Sequence, residues 1–477
     1  MKNQLALTLL LPWSLLGIAQ HEDTPPNILV FIADDAGMDF GCYGNEGIKT
    51  PNIDALAADG MICQNAFLTA SQCSPSRASI LTGKYAHSIG AEDLHMDMEA
   101  GHDIVPHYLA KQGYYSGIML KGHIGERAMS QFDWNDKGGE DYGKGLWNDK
   151  VLSNFQQFLD KTGDRPFFMW TGFIDPHRPY TDPVNGAPAV HSKEDVRVPP
   201  FLVDGEGTRE DLADYYDEIH RMDRHIGMML DELKRRGLYE NTLIIFFSDN
   251  GFPFPRGKAT LYDSGIQTPL IFSWKDKIAA GTSYEGLMSL IDLAPTLLDV
   301  AGCEIPSDYV GESFRGIFSD LNAKGRDYIF AERNWHDTDA HMRCVRSGKY
   351  KLIMNSYIEL PFPIIGDLWR SESWLELLEG RKNQELTAGQ AFIFTYPRYR
   401  FELYDIEKDP FELNNLTTNP DYFNVMEELN HHLLRWIDET GDYPPYEKRR
   451  MDLVDRHSGF FYDVKKYRYH EHYDYYE

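Results

Sequence analysis

Residues 27–33 (Asn-Ile-Leu-Val-Phe-Ile-Ala) form an unbroken apolar run of strand length that stops abruptly at Asp34-Asp35. A strand apolar on both faces must be covered on both sides, so it belongs in the middle of a layered molecule. Further strand-length runs are predicted at residues 115–120, 166–174, 242–247 and 269–274. Between them the apolar residues recur at helical spacing, over 51–59, 105–113, 209–236 and 287–301. This alternation predicts an α/β fold, a mostly parallel or mixed sheet covered by helices, with its chemistry at strand ends. After about residue 345 the texture changes to short strands such as 350–354, aromatic-rich loops and a helix near 421–439. The expected organisation is therefore a main unit over 20–345 and a smaller α+β subdomain over 346–477. The tyrosine-rich stretch 462–476 is read as a packed tail in preference to a sugar-stacking edge.

With 477 residues, 42% of them hydrophobic, the chain has material for a large core in two or three units. Its formal net charge of −27 argues against nucleic acid as a partner and disfavours polyanions in general. An anionic ligand would need a local cationic pocket. Met1-Lys2, the apolar run 5–16 and Gly17-Ile18-Ala19 before Gln20 read as a signal peptide over 1–19. That run is short for a membrane span, and no cysteine follows it to carry a lipid. The expectation is a periplasmic or secreted protein without a stable membrane anchor. Five cysteines are few for a disulfide framework, and the pairing of Cys42, Cys63, Cys303 and Cys344 is left open.

Two strand ends supply hard oxygen donors: Asp34 and Asp35 after the first run, Asp249 and Asn250 after 242–248. Three carboxylates and an amide oxygen suit Ca²⁺ or Mg²⁺, and the lack of Cys or His among them disfavours zinc. The stretch Cys73-Ser74-Pro75-Ser76-Arg77-Ala78-Ser79-Ile80-Leu81-Thr82-Gly83 resembles the signature of type I, formylglycine-dependent sulfatases, Cys-x-Pro-Ser-Arg-x-x-x-Leu-Thr-Gly, at all seven specified positions. The resemblance implies that Cys73 is oxidised to formylglycine by a formylglycine-generating or sulfatase-maturating enzyme. It also implies an alkaline-phosphatase-like fold, Ca²⁺ ahead of Mg²⁺, and a metal site of Asp34, Asp35, Asp249, Asn250 and the converted Cys73.

The chemistry such a site must perform is demanding, because a sulfate ester or sulfamate is an anion that repels nucleophiles. The resemblance implies that Arg77 orients the converted residue, and that Lys121 and His123, in Lys121-Gly122-His123, hold a sulfate oxygen and serve the aldehyde hydrate. It further implies that His177, in Asp175-Pro176-His177-Arg178, and Lys258, eight residues past Asn250, assist the leaving group. Resemblance extends from residue 27 to about 444 and is strongest toward the heparan N-sulfatase, or sulfamidase, branch. Asp249-Asn250-Gly251-Phe252-Pro253-Phe254-Pro255, Leu360-Pro361-Phe362-Pro363 and Phe401-Glu402-Leu403-Tyr404-Asp405 carry it. Lys258 departs from that branch, which has arginine there, and leaves N-sulfo against O-sulfo open. Sugar contacts are expected from residues 93–98, Trp335, His336, Asp337, His341 and Arg343. The implied substrates are sulfated polysaccharides or their oligosaccharides, whether algal (ulvan, carrageenan) or glycosaminoglycan. Two rivals remain at this point: a phosphoryl-transfer enzyme of the same superfold, and a glycan-binding protein if Cys73 stays unmodified.

Overall fold

The computed structural model describes residues 25–136, 150–180, 189–362 and 364–444. The expected leader at 1–19 and the tyrosine-rich stretch 462–476 lie outside the described residues. No described helix is long and apolar enough to cross a membrane.

Among the described residues, nine strands lie between residues 27 and 284: β1 (Asn27–Ala33), β2 (Met61–Cys63), β3 (Ala66–Phe67), β4 (Tyr115–Leu120), β5 (Trp134–Asn135), β6 (Phe167–Gly172), β7 (Thr242–Ser248), β8 (Leu270–Ser273) and β9 (Thr282–Tyr284). Eight of them form one mixed sheet in the order β5-β4-β6-β1-β7-β8-β2-β9. β1 lies parallel to both β6 and β7, and β4 is parallel to β6. β8 runs antiparallel to its neighbours β7 and β2.

Every residue of β1 and β7 is buried. The pleat sends Leu29, Phe31 and Ala33 into one hydrophobic cluster and Ile28, Val30 and Ile32 into another, one on each face of the sheet. That is the reason the sequence shows a continuous apolar run rather than an alternating one. The helices covering these faces are tied to each other by charge as well as packing. The 31-residue helix Glu206–Arg236 has the Glu376 carboxylate at its N-terminus, accepting from Gly207 N (2.8 Å) and Thr208 Oγ1 (2.6 Å). Buried Asp223 on the same helix accepts from the main-chain N–H of Ile53 at 2.7 Å, capping the helix Pro51–Ala58.

β10 (Met288–Ser289) pairs with β3 in a small ladder of their own. The expected helix over 287–301 therefore starts late. Residues 288–289 are strand and 290–292 a 3₁₀ turn, and the α-helix covers only Leu293–Val300. An apolar run in this register satisfies either conformation, and the partner strand at residues 66–67 decides it.

A second, antiparallel sheet has the order β11 (Ile329–His336), β12 (Thr338–Arg346), β13 (Tyr350–Asn355), β14 (Phe401–Asp405), and the helix Phe423–Thr440 packs on it. Its first two strands begin before residue 346, so the antiparallel layer starts earlier in the chain than the change of texture suggests. The β11–β12 hairpin also reaches back to the main sheet region. Glu332 N donates to Thr69 O at 2.8 Å, and Gln72 Nε2 donates to Trp335 O at 2.6 Å, just ahead of Cys73.

Candidate active site

Parallel pairing carries four C-terminal strand ends to one edge of the main sheet. Ala33 is paired with Ser248, and Ile32 and Leu120 each with Gly172. The residues that follow are Asp34-Asp35, Asp249-Asn250, Lys121-Gly122-His123 and the loop to His177, so the sequence runs end where the sheet places its chemistry.

Cys73 opens the helix Cys73–Thr82, all ten residues of which are buried. Gly83, the last position of the motif, lies at φ 64°, a left-handed conformation that suits glycine and ends the helix through Gly83 N to Ser79 O at 3.0 Å. Leu81, wholly buried, anchors the same turn in the core. The motif thus divides into a chemical half, Cys73 to Arg77, and a structural half that fixes it. Arg77 follows Cys73 by one helical turn and so shares its face.

Around the Cys73 thiol stand Asp34 Oδ1 at 3.4 Å, Asp35 Oδ1 at 3.9 Å and Asn250 Nδ2 at 3.7 Å. Donor atoms of Asp34, Asp35, Cys73 and His177 all lie within 4.8 Å of one another. Asp34, Asp35, Asp249 and Asn250 are 0–1% exposed, and Asn250 Oδ1 is buried without a hydrogen-bond partner. Three buried carboxylates and an orphaned amide oxygen are the donor set that a hard divalent cation requires.

Three cations balance these carboxylates. Arg77 Nε donates to Asp249 Oδ2 at 2.6 Å and Nη1 to Lys121 O at 2.7 Å, while Nη2 is buried without a partner. Lys121 Nζ is paired with Asp34, and Lys258 Nζ lies 2.7 Å from Asp35 Oδ2 and 3.0 Å from Asp367 Oδ2. Burial opposes charge on both lysines, but Asp34 for Lys121, and Asp35 with Asp367 for Lys258, hold their ammonium groups above the ordinary value. Close approach of these groups depends on Gly172. A Cβ there would overlap the Lys121 carbonyl oxygen and sit 2.6 Å from Arg77 Nη1.

The histidines are oriented differently from one another. His123 Nε2 is 2.6 Å from His95 Nδ1, and burial, with Lys121 and His95 beside it, pushes the His123 imidazole well below its usual pKa. At neutral pH it is therefore an uncharged imidazole. His177 Nδ1 is hydrogen-bonded to the Arg178 carbonyl, which only accepts, so that nitrogen carries a proton. Its Nε2 points between Asp35 Oδ2 (3.7 Å) and Asp367 Oδ2 (3.6 Å). Burial also pushes the Cys73 thiol well above its ordinary pKa despite Lys121 and Lys258, so as a cysteine it stays protonated.

Left-handed backbone is concentrated here at residues other than glycine: Asp35 (φ 71°), His95 (φ 68°), Leu120 (φ 62°), His123 (φ 49°), Ala259 (φ 62°) and Asp337 (φ 59°). Such conformations cost free energy and mark places where side-chain direction is under constraint.

The structure brings together Cys73, Arg77, Lys121, His123, His177, Lys258, Asp34, Asp35, Asp249 and Asn250. The expected sugar-facing residues divide. His95, from the 93–98 stretch, borders His123, whereas Asp93 accepts from Trp335 N at 3.0 Å and Asp97 from Arg127 N at 3.2 Å. His336 Nδ1 is 3.0 Å from Asp337 Oδ2, and Asp337 Oδ2 accepts from Gly366 N at 2.7 Å, placing both beside the Asp367 loop. Arg343 stands apart from the cluster. Its guanidinium is taken up by Asp442 (Nη2 to Oδ1, 2.6 Å), Asn334 Oδ1 (2.9 Å) and the carbonyls of Arg333 and Met342. Each guanidinium nitrogen is thus engaged, as expected of a buried strand arginine with a carboxylate in reach. His341 Nδ1 likewise turns to Ser356 Oγ at 2.7 Å.

Asp367 is the site residue that sequence reasoning missed. It lies 109 positions from Lys258, in a short 3₁₀ turn (Gly366–Leu368) without a strand or motif to announce it. The five cysteines form no disulfide among the described residues.

Residues 26–303 match the sulfatase family, and residues 256–362 match the C-terminal domain of N-sulphoglucosamine sulphohydrolase. Human N-sulphoglucosamine sulphohydrolase is 34% identical over 463 residues, covering 88% of this chain and 91% of the relative. An ulvan-active sulfatase of Formosa agariphila is 32% identical over 454 residues, covering 87% and 75%. Among solved structures, BT4656 in complex with its substrate D-glucosamine-2-N,6-O-disulfate superposes with a TM-score of 0.68 at 22% identity, over 89% of this chain and 100% of that one. The mixed sheet flanked by helices, with its C-terminal antiparallel layer, is the alkaline-phosphatase-like fold of these proteins. The chain belongs to the sulfatase family and is a hydrolase of sulfuric esters or sulfamates.

Proposed function

We propose that this enzyme releases sulfate from a sulfated glycan, with Cys73 converted to formylglycine and Ca²⁺, ahead of Mg²⁺, held by Asp34, Asp35, Asp249 and Asn250. The observation that carries the reading is the placement of Cys73, 2% exposed, between those oxygen donors and the cations Arg77, Lys121 and Lys258. A bound divalent cation would neutralise charge on a sulfate oxygen and on the buried carboxylates. The converted side chain would supply a hydrated aldehyde oxygen as the nucleophile.

The remaining work falls to the chain's own groups. Arg77 Nη2, buried and without a partner, and the two lysine ammonium groups converge where sulfate charge must be held. His123, neutral and hydrogen-bonded to His95, accepts a proton from the nucleophile side. His177 faces the half-open side with Nε2 and, when protonated there, donates to the departing oxygen or nitrogen.

The sugar then lies toward His95, His336 and Asp337. Similarity to an ulvan-active sulfatase and to an N-acetylglucosamine-6-O-sulfatase supports a polysaccharide or oligosaccharide substrate, algal or glycosaminoglycan. A second reading, N-sulfoglucosamine of heparan fragments, is favoured by the C-terminal match over residues 256–362. A maturation enzyme is the implied protein partner. Because Cys73 lies within a wholly buried helix, conversion is expected on the chain before it folds. Residues 1–19, read as a leader, support export to the periplasm or beyond, and the net charge of −27 weighs against nucleic acid as a partner.

Ion chromatography of free sulfate is the test, after incubation with N-sulfated glucosamine, O-sulfated glycosaminoglycan and algal oligosaccharides. Release from at least one class is expected. No release from any, by protein whose Cys73 is converted, would reject the reading. Chelation should abolish the activity, and Ca²⁺ should restore it better than Mg²⁺.

A further inference from the structure

Lys258 Nζ is bracketed by two carboxylates of unlike surroundings. Asp35 on the floor has a side chain 1% exposed, and Asp367 at the rim has one 27% exposed. The two bonds, 2.7 and 3.0 Å, come from opposite ends of the chain and fix the ammonium between them. A lysine ammonium on a flexible stem, held by Asp35 alone, would have one fixed contact and no fixed direction.

Asp367 is itself held firmly. Gly366 N donates to Asp337 Oδ2 at 2.7 Å, at the tip of the β11–β12 hairpin. Behind it Ile365, Leu368 and Trp369 are 0–3% exposed, and Trp369 Nε1 donates to Ile364 O at 3.2 Å. A rigid mount of this kind is what a group that orients another side chain requires. His177 Nε2, at 3.6 Å from Asp367, is beyond hydrogen-bond reach, so the direct bond is to Lys258.

We infer that Asp367 is a positioning residue for sulfate hydrolysis. Its carboxylate, opposite Asp35, holds the ammonium between the two, where the sulfate and its leaving group meet. This rests on the role given to Lys258 above. The hairpin that carries Asp337 thereby links the antiparallel layer to the chemistry of the main sheet.

Steady-state kinetics on the sulfated sugar turned over fastest in the release panel tests this, in a double-mutant cycle of Asp367→Asn and Lys258→Met. Asp367→Asn alone is expected to lower kcat about 10- to 100-fold with KM changed less than about threefold. In the Lys258→Met background the same substitution should cost less than about threefold more. Asp367→Glu, which keeps the charge at a half-open rim, should recover most of the loss, a rescue that a purely structural role would not give. An equal loss from Asp367→Asn in both backgrounds, or no loss with Lys258 present, would overturn the positioning role alone. Full turnover by Lys258→Met would overturn the role of Lys258 as well. Thermal unfolding of each variant, with and without inorganic sulfate, separates lost positioning from lost fold.

Discussion

Two arginines, Arg77 and Arg343, are both no more than 1% exposed and both sit among carboxylates, yet they differ in one respect that decides their use. Arg343 has each of its nitrogens engaged, by Asp442, Asn334 and main-chain carbonyls, and ties the end of the helix Phe423–Thr440 to β12. Arg77 pairs with Asp249 and Lys121 O but keeps Nη2 buried and unpartnered, and Oδ1 of Asn250, the neighbour of Asp249 in the chain, is in the same condition. Unmet hydrogen-bonding capacity in a buried place is costly, and at Arg77 and Asn250 it falls within the cluster of carboxylates around Cys73, where a ligand can meet it. Charge alone does not mark the site; incomplete pairing within that cluster does.

The comparison breaks first at the nucleophile. Cys73→Ala, measured by sulfate release, should lower turnover by at least ~10⁴-fold, the scale seen when a nucleophile is removed, while the unfolding temperature changes little. A merely structural Cys73 would give the opposite pattern. Arg77→Lys should follow with a loss of about 100-fold in kcat/KM, because an ammonium cannot serve Asp249, the Lys121 carbonyl and a ligand at once. Arg343→Met should instead cost about 3–5 kcal/mol of stability, leaving Asp442 buried and unpaired, with kcat of the folded fraction nearly unchanged. Denaturant unfolding combined with active-site titration separates the two.

Gly172→Ala sharpens the contrast further. The added methyl group meets Arg77 Nη1 and the Lys121 carbonyl, so it should destabilise by about 1–3 kcal/mol and also reduce kcat, which a remote overpacking would not. The smallest effect concerns acid. Burial raises the Asp442 carboxyl, but Arg343 outweighs it and holds the group below the ordinary carboxylate value. A depressed carboxylate adds stability that is complete above its unfolded pKa, near 4, and is lost as pH falls through the folded value. Unfolding measured from pH 5 downward should therefore show a steeper loss for the parent than for Arg343→Met.

What the sequence discloses follows the same division. Asp34, Asp35, Lys121, His123, Asp249 and Asn250 stand directly after apolar runs long enough to be central strands, and parallel pairing leaves their strand ends only one place to meet. Arg77 is legible because it is one helical turn from Cys73. Asp367 is illegible because its position depends on a loop clamped by Asp337, a contact between residues 29 apart that no periodicity encodes. Arg343 misleads because its type suits an anion site, and its partner Asp442 is 99 residues away. The start of the helix at Leu293 is hidden for a similar reason, since pairing of Met288 with Ala66 claims the residues ahead of it.

The central claim is that buried Cys73 serves as the precursor of an aldehyde at the focus of unpaired donors. Peptide mass spectrometry of Cys73 in protein that releases sulfate tests it most directly. The account predicts a residue lighter than cysteine at position 73 in proportion to specific activity. Active protein that carries only an unmodified thiol there would contradict it.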